Sequence, residues 1–307
     1  MTAMISSEKK NRLRKILLAV VAAAAVVVGF VFTFSNKETG HLPVETPQSG
    51  IMLTLGDGAT ILLDTLSSAI GQQGALISKA GEASLTYDET VADGDVLVYN
   101  EISVTRGRSV DIFLSDGTHV WLNADSRLRF PVRFPGTERR VELEGEAYFD
   151  VSSDAERRFI VENLGQSVTV LGTEFNIYGY RDEPIYTTLL TGSIEIMKDD
   201  RQILLTPGQQ CITHADGSTE VKQVSVENYA SWKEGFLILE NKPLEDILKG
   251  VERIYDIRFA YDGESLDTET LKGRIPTDYT LEQTLSIISH STGAEFSAEG
   301  SYIRVRP

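Results

Sequence analysis

Few residues in this chain are of a type and spacing that could do chemistry. Four histidines, His41, His119, His214 and His290, lie far apart, and none sits in a metal-ligand motif. Each reads as a turn or surface residue rather than a ligand or a general base. The Asp57-Gly58, Asp93-Gly94 and Asp116-Gly117 pairs lack the repeated acidic pattern of a calcium loop and are better explained as turns. Glu142, Glu144 and Glu146 alternate, which puts them on one face of a strand, the pattern of a solvated face more than of a catalytic pair. Cys211 is the single cysteine, so an internal disulfide and a multi-cysteine zinc site are both excluded. No nucleophile elbow, H-E-x-x-H, P-loop or dinucleotide-binding glycine motif occurs. The expectation is a protein that is not an enzyme, with no cofactor, metal or small-molecule substrate.

The remaining candidates are binding residues. Trp121 lies in an alternating run with Ile112, Leu114, Val120 and Leu122, so either it or its neighbours face inward. Trp121 and Trp232 read as core or partly buried residues that become interface candidates if exposed. Phe236, Ile238, Leu271 and Arg274, in the short runs that follow, are further interface candidates.

The elements that must position these residues are mostly strands. From Val110 to Gln210 the chain is a series of short runs rich in Val, Ile, Leu, Phe, Tyr and Thr. Asp116-Gly117, Gly136, Gly145, Gly165, Gly192 and Pro207-Gly208 separate them. This is the signature of many short strands joined by tight turns, stacked or sandwich-like. The same rhythm holds from Ile51 to Val104. Residues 53–64 align without gaps to residues 112–123, with the Asp-Gly pair in register. Two hairpins obeying one turn rule explain this better than a solenoid, since two copies do not make an array.

The rhythm changes after Tyr229. Phe236–Leu239 reads as a strand, and residues 243–255 put apolar side chains on one helical face, with Pro243 in the first turn. Residues 257–261 and 271–275 read as strands. Thr280 and Gln283 form a capping-box pattern opening a second helix to about Ser291, with Gly293 at its end. Residues 294–298 and 302–305 close a β-α-β-β-α-β-β module. The expected organisation is a β domain over 51–228 and an α+β module over 229–307.

Charge is unevenly placed. The net charge is −16, yet residues 1–15 carry +4 and the body beyond the apolar run carries −20. An acidic body disfavours nucleic acid as a partner, because phosphate binding needs a basic face. Residues 16–34 contain no charge and would span about 29 Å as a helix, enough for a bilayer core. The basic tail before this run predicts a single-pass inner-membrane protein with residues 1–15 cytoplasmic and the body outside the cytoplasm. Residues 35–50, aperiodic with two prolines, read as a linker.

The strand wording carries a resemblance. LSDGTHVWLNADSRLRFP, VELEGEAYFDV, VLGTEFNIYGY, GSIEI and LTPGQQ, in that order, resemble the periplasmic domain of FecR-type transmembrane regulators. The C-terminal module is similar to the short secretin/TonB N-terminal signalling domain. The resemblance implies a signal transducer that relays occupancy of an outer-membrane TonB-dependent transducer to an extracytoplasmic-function sigma factor. The implied partners are the transducer's signalling domain, a sigma factor and the membrane.

The resemblance also singles out Gly172-Thr173, where some relatives cut their own chain. The threonine hydroxyl would attack the preceding carbonyl in an N-to-O acyl shift that hydrolysis completes; a structural Gly-Thr is the alternative. Relatives usually begin with a helical cytoplasmic domain that holds the sigma factor, whereas residues 1–15 precede the apolar run here. Either Met1 lies downstream of the true start, or this member lacks that domain and serves as an anchored interaction or scaffold protein.

Overall fold

The computed structural model describes residues 50–72, 75–81, 83–89, 97–239, 243–261 and 271–306. The apolar run 16–34, His41 and the Asp93-Gly94 pair lie outside the described residues. Among the described residues, no helix is long and apolar enough to cross a membrane.

One strand, Glu138–Asp150, organises the β region by belonging to two sheets. Its first half pairs antiparallel with Ser126–Pro131 and parallel with Arg158–Asn163. From Gly145 onward it pairs antiparallel with His119–Leu122 and with Glu174–Gly179. The first sheet extends on one side through Gln166–Val170, Ile194–Lys198 and Arg201–Leu205. On the other side it adds Tyr99–Val104, Ile51–Thr54 and Thr60–Leu62. The second sheet runs out through Ile185–Thr191, Gln209–Thr213 and Thr219–Gln223. Its opposite flank is Val110–Phe113, Ser84–Glu89, Ala75–Gly81 and Ile70–Gln72.

The two sheets face one another, because their inward residues form a single core. Val141 and Leu143 of the shared strand, with Leu128 and Val161, come from the first sheet. Ala147, Phe149, Val120 and Ile177 come from the second. Phe149 stacks on Phe175 with ring centroids 5.0 Å apart. The period of two, read from the sequence, is what sorts these side chains inward.

Gly145 is not the turn its sequence suggests; it lies inside the shared strand with φ +104°. A Cβ there would lie 2.7 Å from the Ser126 Cα. Only glycine permits both that dihedral and that approach, so the strand can bend from one sheet into the other.

The Asp-Gly pairs do behave as one turn rule. In the first hairpin Leu55 N–H donates to the Ala59 carbonyl and Ala59 N–H to Asp57 Oδ1. The second repeats this with Leu114, Thr118 and Asp116. A third, around Asp216-Gly217, uses His214, Ser218 and Asp216 in the same way. Its flanks do not share the aligned wording, so turn chemistry rather than duplication accounts for the likeness. Asp116 does more than shape its turn. It accepts from Arg139 Nη1 at 2.9 Å, with both side chains at most 2% exposed. The same guanidinium donates to the Ser152 and Arg157 carbonyls.

Beyond a one-turn helix, α1 (Glu227–Ala230), and a 3-10 turn (Ser231–Glu234), the element order is the alternating one expected. Helix α2 is Leu244–Tyr255 and helix α3 is Leu281–Thr292. Thr280 makes the full capping box with Gln283, and Gly293 closes the helix at φ +78°. Pro243 precedes α2 as its N-cap residue instead of entering the first turn. Phe236–Ile238 pairs antiparallel with Arg274–Pro276. Phe259–Tyr261 pairs parallel with Tyr302–Arg306, which pairs antiparallel with Glu295–Glu299. This α/β unit has its own core of Leu244, Ile247, Leu248, Val251, Ile275, Ile288 and Val305.

Candidate functional site

The outward face of the second sheet is where the candidate residues meet. With Val120 and Leu122 turned into the core, Trp121 is left on the outside beside His119. Across the ladder Trp121 stands opposite Tyr148, Tyr148 opposite Asn176, and Tyr178 opposite Tyr186. The result is an aromatic band on an antiparallel face, a favourable set of cross-strand pairs. The chain after the last sandwich strand folds back over this band. Trp232 Nε1 donates to Asn176 Oδ1 at 2.9 Å. Lys233 Nζ sits 5.0 Å from the Trp121 ring centroid and 4.9 Å from that of Tyr148. Both tryptophans are therefore half-buried in one internal junction, held by an indole hydrogen bond and a cation–π contact.

Helix α2 completes the junction. Arg253, near its end, pairs with Glu183 of the loop before Ile185, and both side chains are no more than 10% exposed. Arg253 Nη1 donates to the Tyr178 hydroxyl at 2.9 Å, and that hydroxyl donates to Glu183 Oε2 at 2.5 Å. The guanidinium also lies 3.6 Å from the Tyr180 ring centroid. Burial holds the Tyr178 hydroxyl well above the usual phenol range, so it serves as a neutral hydrogen-bond link. Two backbone-level ties flank this cluster. Gly107 N–H donates to the Arg253 carbonyl at 2.7 Å, and Arg106 Nη1 to the Ile257 carbonyl at 3.1 Å.

Glu142, Glu144 and Glu146 part company here. Glu142 pairs with Arg129, and Glu144 takes two hydrogen bonds from Arg181 at the surface. Glu146, past the Gly145 bend, instead accepts from Asn123 and Asn176 at 2.8 and 3.0 Å. It lines a cavity of about 920 Å³ between the sandwich face and the α/β unit.

The other candidates are placed as follows. Phe236 is half-buried under Arg274, whose guanidinium carbon is 4.3 Å from its ring centroid. Ile238 is half-buried opposite Arg274, which is exposed. Leu271 is 8% exposed and belongs to the α/β core, so it packs inward and is not presented to a partner. Thr173 is buried, its hydroxyl donating to the Ser193 carbonyl at 3.1 Å. A Cβ at Gly172 would collide with Ser153, and one at Gly192 would lie 2.9 Å from the Gly172 carbonyl. Neither Gly172 nor Thr173 has a positive φ or a cis bond. Cys211 is fully buried in a strand, and that burial raises its thiol pKa. Among the described residues, no group of three His, Cys, Asp or Glu could hold a metal ion.

His119 corrects the expectation of a turn or surface histidine. It is a strand residue whose ring stacks on Phe113 at 3.9 Å and lies tilted against Trp121 with centroids 3.4 Å apart. Alternation in the flanking run could have flagged it; the stacking partners could not be foreseen. Burial first, and the Lys233 charge second, lower its pKa to about 4. A folded-state value below the unfolded one means the unfolded chain takes up the proton first as pH falls. The contribution of His119 to stability is thus full above about pH 6.5 and declines as pH drops towards 4. NMR titration of labelled histidine should give a value near 4. Lys233→Met should raise it part of the way, since burial persists. A value near 6.5 in both proteins would show that the ring is solvated.

The architecture is a two-sheet β domain whose outer face is capped by a small α/β unit. The family model described as FecR protein matches residues 100–195, and the one described as FecR, C-terminal, matches residues 236–305. Two crystal structures of a candidate anti-sigma factor from Parabacteroides distasonis are similar to this chain. One is 31% identical with a TM-score of 0.64, the other 30% identical with a TM-score of 0.62. Each alignment covers 67% of this chain and 98% of that structure. No curated protein matches the chain. The chain belongs to the FecR family.

Proposed function

We propose that this chain is a single-pass inner-membrane anti-sigma regulator of the FecR type. Residues 16–34 form the span, residues 1–15 are cytoplasmic, and the sandwich and α/β unit are periplasmic. The signal arrives from the signalling domain of an outer-membrane TonB-dependent transducer that docks on the α/β unit, and it is passed to an extracytoplasmic-function sigma factor.

The observation that carries this reading is the coincidence of the C-terminal family match with the α/β unit and its open strand edge. Among the described residues, Glu295–Glu299 pairs on one side only, with Tyr302–Arg306. An edge strand offers main-chain donors and acceptors that a strand of a partner can extend with little demand on its sequence. The regulatory family and the anti-sigma designation of the solved relatives support the output half of the proposal.

A photo-crosslinker placed at Ser297 in cells tests it, with Met197 on the sandwich as control. The expected product at Ser297 alone is the periplasmic N-terminal domain of a TonB-dependent transducer, identified by mass spectrometry. Absence of any outer-membrane protein at Ser297, or equal capture at Met197, would refute the docking. Mapping termini in the same preparation checks the cytoplasmic tail and any fragment beginning at Thr173.

A further inference from the structure

We infer that the exposed stretch of the second sheet's outer face around Phe113 and Asp150 is a docking surface for a lysine- or arginine-bearing segment of a partner protein. On neighbouring strands this face presents Phe113, His119, Asp150 and Glu174 in one row, each opposite the next in the ladder. Asp111 flanks the row, opposite Trp121. Phe113 is 37% exposed and Asp150 is exposed, so solvent reaches the row.

Two observations point to a cation. The first is that Asp150 and Glu174 stand directly opposite one another, a placement in which like charges destabilise a ladder. Glu174 accepts from the Tyr148 hydroxyl at 2.8 Å, which leaves the repulsion in place. Burial and the Glu174 charge raise the Asp150 pKa, and Lys233 opposes them only in part. A broken pairing rule of this kind is expected at functional positions, and an ammonium or guanidinium group from a partner would relieve it. The second observation is that the face already takes a cation of its own. Lys233 lies over the Trp121 and Tyr148 rings at 5.0 and 4.9 Å. The aromatic surface continues outward from there, with His119 against Trp121 and Phe113 stacked on His119. It offers a ledge for the methylene stem of a second long basic side chain. His119, with its pKa lowered to about 4, adds no positive charge, and Asp111 lies 4.0 Å from its ring. Three carboxylates against one lysine give a field that attracts cations and repels anions. The net charge of −16 makes a second copy of this chain a poor occupant.

This docking is independent of the Glu295–Glu299 edge and of the transducer, and the purified full chain in phosphatidylcholine nanodiscs tests it. The probe is a fluorescent octapeptide of alternating lysine and serine, followed by anisotropy at about 0.15 M salt, where long-range attraction is screened. Saturable binding is expected, with none for the glutamate–serine counterpart. Asp150→Asn/Glu174→Gln should weaken it about tenfold, in line with loss of a charge-assisted hydrogen bond. The same variant should melt at a higher temperature, because the cross-strand repulsion is gone. Asp199→Asn/Asp200→Asn removes equal charge from an exposed turn and should leave binding unchanged. Absence of saturable binding overturns the assignment, as does an equal loss in both variants, which would be diffuse attraction to an acidic body. A lower thermal midpoint for the first variant would make the pair structural and also overturn it. Self-association of the chain that the first variant abolishes would give the face to a second copy instead.

Discussion

Arg139→Ala is expected to lower the stability of this protein by about 3–5 kcal/mol, the usual cost of leaving one member of a buried ion pair without its partner. Asp116 and Arg139 are at most 2% exposed and meet at 2.9 Å. The guanidinium also satisfies the carbonyls of Ser152 and Arg157, and the Thr118 hydroxyl donates to the same carboxylate at 2.8 Å. Removing Arg139 therefore strands an anion and two carbonyl acceptors in the interior. The loss compares with a total of about 5–15 kcal/mol for a typical folded protein. Denaturant titration of the full chain reads the change as a lower midpoint. The double variant Asp116→Leu/Arg139→Met removes both charges while retaining bulk, and it should recover much of the loss. A loss below about 1 kcal/mol for Arg139→Ala would mean that water reaches the pair, as it does at surface salt bridges.

Arg253→Met is expected to detach the α/β unit from the sandwich without unfolding either. Its guanidinium is the meeting point of Glu183, Tyr178 and the Tyr180 ring. In its absence the Glu183 carboxylate, 9% exposed, has lost its cation. Opening the junction is then the cheapest route to solvating it. Hydrogen exchange should show faster exchange at Gly107 and along the 231–239 segment, while the α/β core around Val251 and Ile288 keeps its protection. A double-mutant cycle with Glu183→Gln measures the link directly. A coupling of about 2–3 kcal/mol is expected for a desolvated, hydrogen-bonded pair. A coupling near zero would assign the docking to the Gly107 backbone bond and the Trp232–Asn176 contact instead.

Local patterns carried the secondary structure well. The Thr280 capping box, Gly293 and the one-sided apolar face of α2 are short-range signals, and each is realised within a residue or two. The Asp-Gly turns follow for the same reason, since a turn is closed by hydrogen bonds between residues two to four apart. Gly145 shows where such reading stops. A glycine amid alternating residues looks the same whether it ends a strand or bends one, and only the approach of Ser126 distinguishes them. Leu271 was equally illegible as a core residue. The short run 271–275 does not say which of its faces turns inward, and burial came from the fold of the α/β unit.

Sequence alone determined the β-rich class, the change to an alternating α/β rhythm after Tyr229 and the family, because these depend on residue order and spacing. It also identified Trp121 and Trp232 as residues to watch. Tertiary structure decided what they do. Residues 121 and 232 come together with Asn176, Tyr148 and Lys233 only when the chain folds back over the second sheet. Glu146 parts from Glu142 and Glu144 only because the strand changes sheets, and Arg253 finds Glu183 across 70 residues of chain. These pairings are non-local, so no local period records them. They exist because burying the outer aromatic face and the α2 stripe is favourable only when the two surfaces meet.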